Sequence, residues 1–184
     1  ESPFYSGADS FERYWRWPMW DKDSIYFLSH TEFGAHNLTL NTKAFYDTFK
    51  NDLHAFDDAT FSTQKKKSSF NSYYRDYSYG AGFDLGGDLT SKDHLKFSTL
   101  IKYDVHREHN DDEPTAVDKD RTYSFGLENT HRFNEKTSLI TGISYDKRDS
   151  NRAEKFEKQC ASTHQKNAIC PFDIGNKHAF NYQI

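Results

Sequence analysis

The sequence has little of what a thick soluble core, a membrane helix or a nucleic-acid interface requires. Only 35% of its 184 residues are apolar, and no apolar run approaches the roughly 20 residues of a membrane-spanning helix. Basic residues number 24 against 28 acidic ones, and no basic stripe stands out apart from Lys65–Lys67, so we expect no nucleic-acid partner. Neither an initiator Met nor a signal peptide opens the sequence, from which we expect a mature chain or an excised part of one.

Cysteine is almost absent, with Cys160 and Cys170 the only two. They stand in a polar stretch, and no further ligands follow at the tight spacing of a metal site. A disulfide that closes a short loop is therefore the favoured interpretation, and it implies an oxidising compartment; two free thiols are the alternative. We expect neither a metal nor a cofactor.

Aromatic residues, in contrast, are plentiful. The mean hydropathy of −0.98 is typical of disorder, yet 17% of the residues are Phe, Tyr or Trp. Disordered chains are poor in aromatics, so we expect an ordered chain whose apolar groups are too few for a thick soluble core.

Apolar and polar residues alternate with period two through most of the chain, which is the pattern of β-strands with one apolar face. From Tyr77 onward, the odd positions hold Tyr, Ala, Phe and Leu, whereas the even positions hold Asp, Ser and Gly. The sequence thus predicts an all-β fold, an antiparallel meander of about seven strands. The predicted segments are 24–33, 38–46, 77–89, 95–105, 123–133, 139–145 and 178–184.

The connections between these segments alternate in length. Short ones, built from turn-forming residues, are predicted at 34–37, 90–93 and 134–137. Long polar ones are predicted at 57–72, 110–121 and 149–177. Short turns at one end and long loops at the other are typical of outer-membrane barrels.

The distribution of tyrosine decides which face we expect to point outward. Tyr lies at the long-loop end of each well-defined apolar face, whereas the middle positions are Leu, Ile, Phe, Ala or Thr. This layout is typical of aromatic girdles around a lipid-facing band, and the faces have lengths near the roughly 9–11 residues of a tilted membrane strand. We therefore expect transmembrane strands with a polar lumen. A soluble lipocalin-like binding module with its Tyr-rich face inward is the alternative.

Seven strands cannot close an even-numbered bacterial barrel, and an open sheet leaves backbone groups unsatisfied in lipid. We therefore expect residues 1–184 to be part of one larger barrel domain. The alternative is a small self-contained barrel, an adhesin or a structural anchor, in which the stretch Phe4–Trp20 supplies an eighth strand.

Several sequence motifs resemble the middle of TonB-dependent outer-membrane receptors. Trp17 and Pro18 precede the Lys-Asp-Ser-type strand Lys22–Tyr26, and Tyr46–Leu53 leads into the Asp-Asp-Ala-Thr run Asp57–Thr60. The resemblance covers roughly residues 11–145 and is closest to the catecholate-siderophore and colicin-receptor branch.

The resemblance implies a 22-stranded barrel filled by a plug domain, in the outer membrane of a Gram-negative bacterium. Such receptors import scarce nutrients, most often ferric siderophores, by coupling to the TonB complex through the plug. This sequence contains neither a plug nor a TonB box. The expected partners are the TonB complex, an iron–siderophore complex or similar ligand, lipopolysaccharide and outer-membrane lipid.

Three residues are candidates for ligand contact at the extracellular mouth, namely Arg75, His106 and His109. Arg75 suits an anionic siderophore or a lipopolysaccharide phosphate because its guanidinium forms paired hydrogen bonds, although a rim ion pair is the favoured interpretation. The two histidines stand near carboxylates where a predicted strand leaves the membrane and enters a long loop. A solvated loop is favoured over a ligand or metal contact.

Five charged residues are expected to face the lumen: Asp76, Asp84, Asp88, Lys102 and Asp104. Gly80, Gly82 and Gly86 share their face, where they serve either the close approach of a plug or the bending of the strand. No catalytic arrangement is recognisable, since the glycines of the stretch Gly80–Gly87 lie in a strand with no helix after it to bind phosphate. We therefore do not expect the protein to be an enzyme.

Overall fold

The computed structural model of the chain describes residues 13–161 and 163–183. Within these ranges the fold is all-β, as the alternation predicts. Nine strands follow one another: β1 (Tyr14–Phe33), β2 (Leu38–Phe56), β3 (Asn71–Asp88), β4 (Asp93–Asn110), β5 (Ala116–Asn134), β6 (Thr137–Arg152), β7 (Glu154–Gln159), β8 (Lys166–Pro171) and β9 (Lys177–Gln183). No helix in these ranges is long and apolar enough to cross a membrane.

Seven of the strands form one antiparallel sheet in the order β1-β2-β3-β4-β5-β6-β9. This meander confirms the predicted all-β class and the number of strands in the main sheet. Strands β7 and β8 lie between β6 and β9 in the sequence and form a separate two-stranded sheet. The sequence pattern does not predict this sheet. Tyr14–Trp20 belongs to β1 rather than to a separate eighth strand, and residues 4–12 of that proposed strand lie outside the described residues.

The six long strands extend well beyond their apolar segments, to between 16 and 20 residues each. The long loop predicted at 110–121 is consequently wrong, because β5 already begins at Ala116 and pairs with β4 there. The chain continues to form ladder hydrogen bonds where its side chains become polar on both faces. The predicted short turns at 34–37, 90–93 and 134–137 match the tight connections β1–β2, β3–β4 and β5–β6.

The register sorts the side chains into two faces, because residues that pair across strands share a face. One face, here called the apolar face, carries Ile25, Phe27, Ala44, Tyr46, Tyr79, Phe83, Phe97, Ile101, Tyr103, Tyr123, Phe125, Leu127, Ile143, Tyr145 and Phe180. The opposite, polar face carries mainly charged, hydroxyl and glycine residues, with a few large apolar ones such as Tyr26, Phe45, Leu100 and Ile140.

Nothing in the described residues covers the apolar face. Phe125 is 42% exposed, Leu127 41% and Ile143 49%. The buried apolar residues are small or lie at the strand ends: Ala55, Val105, Ala153, Cys160 and Cys170. The sheet is therefore a single layer without a hydrophobic core of its own.

Gly82 is required by the geometry of the sheet itself. A methyl group built there would collide with the carbonyl oxygen of Thr99 on the neighbouring strand and lie 3.1 Å from Cα of Leu100. At Gly80, it would lie 2.6 Å from the carbonyl oxygen of Ile101. Of the two roles expected for these glycines, the contacts support strand bending, because the crowding comes from the neighbouring strands, β4 and, at Gly80, also Phe45 of β2.

The cysteines form the predicted disulfide, Cys160–Cys170, with their Cα atoms 5.5 Å apart. It closes the β7–β8 hairpin, which contacts β5 through Glu154. The backbone N–H of Glu154 donates to the carboxylate of Asp118 at 2.8 Å, and its own carboxylate accepts from the N–H of Val117 at 3.1 Å.

Because this loop is short and local, we expect the variant Cys160→Ser/Cys170→Ser to destabilise only the hairpin, by about 2–3 kcal/mol. Hydrogen exchange measures this directly: amides of β7 and β8 should exchange faster, while those of β3 and β4 keep their protection. Faster exchange throughout the main sheet would contradict the local role.

Candidate functional site

A groove of about 510 Å³ lies on the polar face at the long-loop end, across β1, β2, β3 and β4. Four of the eight residues predicted for the mouth and the lumen line it. The polar-face residues that line it are aromatic, basic, acidic and hydroxyl residues: Trp20, Lys22, Asp47, Phe49, Asp76, Ser78, Lys102, Asp104 and His106.

The aromatic wall of the groove is formed by Trp20 and Phe49, whose rings meet edge to face at 5.2 Å. Trp20 remains 66% exposed, so most of its indole is available to a bound molecule. Opposite it, the ammonium group of Lys102 forms an ion pair with Asp104 at 2.8 Å. The groove therefore combines a flat apolar surface with charges of both signs, an arrangement that suits a ligand with aromatic and ionic parts.

His106 lies between two carboxylates at the groove. Its Nδ1 lies 2.8 Å from a carboxylate oxygen of Asp76, and its Nε2 lies 3.5 Å from one of Glu108. The ring of Tyr74 contacts the imidazole edge to face at 5.1 Å. His106 lies beyond Tyr103 and outside the predicted strand segment 95–105. The hydrogen bonds that His106 donates to Asp76 and, next in effect, to Glu108 raise its pKa to about 10.

We therefore expect His106 to be an imidazolium throughout the neutral range. Because folding raises this pKa, protonation of His106 stabilises the folded state. The full contribution is present at a pH below about 6.5, the pKa in the unfolded chain, and it is lost as the pH rises toward about 10. An NMR titration of the imidazole should give a midpoint well above 8, and Asp76→Asn should lower it. A midpoint near the ordinary value of His would contradict the network.

The other two predicted mouth residues lie on the opposite face of the sheet. Arg75 pairs across the strands with Lys50, and His109 pairs with Tyr73, both on the side that carries the apolar face. Arg75 forms an ion pair with Asp52 at 2.5 Å, and the His109 ring stacks on Tyr73 at 4.9 Å. The structure thus brings His106 into the groove but not Arg75 or His109, and ligand contact by any of the three stays a prediction.

The five residues expected in the lumen all lie on the polar face, as the register between β3 and β4 shows. Asp76, Lys102 and Asp104 line the groove. Asp84 and Asp88 lie farther toward the short turns, where Asp88 accepts from Asn37 at 2.5 Å and lies 2.8 Å from Nδ1 of His94. That this face borders a lumen stays a prediction.

The connection from β2 to β3 folds around one carboxylate, that of Asp57. Its oxygens accept from the hydroxyl of Ser69 at 2.5 Å and from the backbone N–H groups of Lys65 and Lys66 at 2.7 and 2.8 Å. The hydrogen bond from Ser69 has the largest effect and those from the two backbone amides follow. Together they hold the pKa of Asp57 well below its usual range. The basic run Lys65–Lys67 is thus part of an ordered loop at the groove's end of the sheet.

Sequence patterns miss the aromatic part of the groove. In β1, large apolar residues occupy both faces, as Tyr26 and Phe27 show, so alternation does not reveal which face holds Trp20. Only the register fixes it, because Trp20 pairs with Asn51 and Lys22 with Phe49.

The described residues contain no cluster of three His, Cys, Asp or Glu side chains arranged to hold a metal ion.

Comparisons of the chain with protein-family models, with curated proteins and with solved structures find no match.

Proposed function

We propose that the chain forms part of the barrel wall and ligand mouth of a TonB-dependent receptor in the outer membrane of a Gram-negative bacterium. Its task there is the import of a scarce nutrient, foremost a ferric siderophore. The chain contributes binding surface and no catalytic chemistry. The motifs around Trp17, Lys22–Tyr26 and Asp57–Thr60 support this family, and the uncovered apolar face is the observation that carries the proposal.

A single-layer sheet with an exposed apolar face is unfavourable in water, because the hydrophobic effect would drive that face to be covered. In a membrane, acyl chains cover it. Tyr46, Tyr79, Tyr103, Tyr123 and Tyr145 lie at the loop side of this face, the position expected of an interfacial girdle. A soluble lipocalin-like module would need the same residues packed in a core, and side chains such as Ile101 and Leu127 are instead 38% and 41% exposed.

The register supports tilted strands. Tyr46, Tyr79 and Tyr103 pair directly across three strands, whereas Tyr123 lies across from Ile101 and Tyr145 across from Phe125. From β2 to β6 the tyrosine position therefore shifts by about one residue per strand on average. With a rise of about 3.3 Å per residue and a strand spacing of about 4.8 Å, that shift keeps the tyrosines level if the strands tilt by about 35°.

The two edges of the sheet favour a larger barrel over a self-contained one. Among the described residues, β1 pairs only with β2 and β9 only with β6. Unpaired N–H and C=O groups cannot be left in lipid, so both edges require further strands. A self-contained adhesin or anchor barrel would instead need β1 and β9 to pair with each other.

In this arrangement the polar face borders the lumen, and its groove receives the ligand. Lys22 and Lys102 would attract an anionic complex, while Trp20 offers a face for stacking. Coupling to the TonB complex would pass through a plug domain held inside the barrel.

Uptake of radioactive iron tests the function in cells from which the gene is deleted. Cells with a plasmid that encodes the full-length protein are compared with cells without it. Across a panel of ferric siderophores, we expect uptake of at least one to require the gene and to stop when an uncoupler collapses the proton gradient. Lys22→Gln/Lys102→Gln should raise the half-saturating concentration at least fivefold, whereas the matched variant Lys43→Gln/Lys96→Gln, on the same face outside the groove, should not. If the uptake of every complex were independent of the gene, the proposal would be overturned.

A further inference from the structure

The three tryptophans of the sequence lie close together in β1, at positions 15, 17 and 20. In a regular strand the side chains alternate between the two faces, so Trp20 would lie on the face opposite Trp15. The structure instead places both on the polar face, because Trp15 pairs with Ala55 and Trp20 with Asn51, which are four residues apart on β2. This arrangement requires an irregularity in β1 between the two tryptophans.

A β-bulge supplies the irregularity. The register of β1 against β2 shifts by one residue between Arg16 and Met19. Trp17 and Pro18 therefore lie together opposite a single residue of β2, which is the geometry of a bulge. Proline suits this position because it has no N–H group to contribute to the ladder of hydrogen bonds. The bulge thus brings the third tryptophan onto the same face as the first.

The three indoles form a row on the polar face, which we call the tryptophan ladder. The ring of Trp17 meets that of Trp15 edge to face at 5.9 Å and that of Trp20 at 6.4 Å. Beyond Trp20 the row reaches the groove at Phe49. At the other end, the guanidinium of Arg13 covers the ring of Trp15 at 4.8 Å. Trp17 and Trp20 are 47% and 66% exposed, so these two indoles provide the open surface of the ladder.

The groove next to the ladder offers hydrogen-bond donors and acceptors side by side. Lys22 and Lys102 supply donors there. The acceptors are the carboxylates of Asp47, Asp76 and Asp104. A hydroxyl group donates one hydrogen bond and accepts others, so this mixed lining suits a ligand that carries neighbouring hydroxyl groups.

The openness of the ladder indicates which class of ring it suits. A flat aromatic ligand gains most where both of its faces are buried, whereas the indoles of Trp17 and Trp20 are largely open to solvent. A sugar ring has an apolar face of C–H groups that packs on an indole, and its hydroxyl groups can stay in water or meet polar side chains. The distance between neighbouring indoles is also comparable to the length of one pyranose unit in a chain.

We propose that the tryptophan ladder binds the sugar rings of a ligand, with one pyranose on Trp17 and the next on Trp20. Two sources supply this chemistry: a free linear oligosaccharide, and sugar units attached to an iron carrier. The inference deepens the proposed function and rests on it for the position of the ladder at the extracellular mouth. A carrier of the second kind would place its charged part at Lys22 and Lys102 while its sugar lies on the indoles.

Isothermal titration calorimetry of the full-length protein, in a detergent without a sugar headgroup, tests the assignment in two arms. The first arm titrates glucose and the linear malto-, cello- and chito-oligosaccharides. The second arm titrates a ferric catecholate siderophore with and without attached glucose. We expect binding in at least one arm. A disaccharide should bind about fivefold or more tightly than its monosaccharide, or the glucosylated carrier about fivefold or more tightly than the carrier without sugar.

Two matched variants identify the ladder as the site. Trp17→Ala should weaken the binding about fivefold or more, whereas Trp17→Phe keeps a ring and should retain most of the affinity. Tyr14→Ala removes an aromatic ring from the same strand on the opposite face, where Tyr14 pairs with Phe56, and should bind as the wild type does. The faster migration of unheated gel samples checks that each variant is folded.

Three results would overturn the assignment. The first is no binding in either arm, and the second is equal loss in Trp17→Ala and Tyr14→Ala. The third is that only the carriers bind, equally well with and without the sugar, because the ladder would then contact the carrier itself.

Sugar binding and iron uptake can fail independently, which separates this inference from the proposed function. If the cells import a ferric siderophore but the protein shows no preference for sugars, only the ladder assignment is wrong. If the protein binds oligosaccharides through Trp17 but imports no iron complex, the proposed function is wrong and the ligand of the ladder stands.

Discussion

Replacing Leu127 with Arg is expected to destabilise the folded protein in a bilayer by about 2–4 kcal/mol, the cost of a cationic side chain near the middle of a lipid-facing strand. Leu127 lies on the apolar face between Phe97 and Ile143, on strands β4 and β6. It is 41% exposed, and its direct partners on both neighbouring strands are apolar. An arginine there must either lose its hydration or distort the bilayer to keep it.

Glu128→Arg provides the matched control, because position 128 is adjacent in the strand, at the same depth, and on the polar face opposite Lys96. We expect it to change stability by less than about 1 kcal/mol. Urea titrations in lipid vesicles, with the folded fraction measured by its faster migration in unheated gel samples, give both values. Equal effects of the two substitutions would contradict the assignment of the faces.

Replacing Gly82 with Ala is expected to have the next largest effect, a loss of about 1–3 kcal/mol. The added methyl group would meet the Thr99 carbonyl on β4, and backbone atoms of a paired strand cannot move aside without breaking ladder hydrogen bonds. Gly126 offers a control on the polar face of β5, since a methyl group there would first meet Cβ of Ser98 at 3.8 Å, an ordinary contact.

The same urea titration should therefore separate Gly82→Ala from Gly126→Ala, with the latter within about 0.5 kcal/mol of wild type. If Gly82→Ala were neutral as well, the close approach of β3 and β4 would be wrong. If both variants were equally destabilised, the loss would reflect the general flexibility of glycine rather than crowding.

Much of the sheet could be predicted from sequence because its two faces differ so strongly. Residues such as Phe83 and Asp84 alternate cleanly, and a one-residue change of register would move every one of them to the wrong face. The same alternation predicts that Asp84, Asp88 and Lys102 share a face, which the register between β3 and β4 shows.

The lengths of the strands could not be predicted in the same way. The segment Ala116–Arg121 has too few apolar residues to mark a strand, yet its backbone pairs with β4. Backbone hydrogen bonds do not depend on side-chain polarity, so a ladder can continue where the apolar pattern ends. The β7–β8 hairpin was missed for the same reason, although its disulfide could be predicted from the two cysteines.

The candidate site was only half predictable. His106 and His109 are three residues apart, and the structure places them on opposite faces, as period-two geometry requires. The meeting of His106 with Asp76 and Trp20 depends on the register of four strands, and no local signal in the sequence contains that information.

The central claim is that the apolar face contacts acyl chains while the polar face borders an interior. Spin labels at Leu127→Cys and Glu128→Cys in the full-length protein, reconstituted in vesicles, test it by their relaxation with oxygen, which concentrates in lipid, and with a water-soluble nickel chelate. We predict that the label at 127 responds mainly to oxygen and the label at 128 more to nickel. A label at 127 that is shielded from oxygen, or that responds to nickel as strongly as its neighbour, would contradict the account.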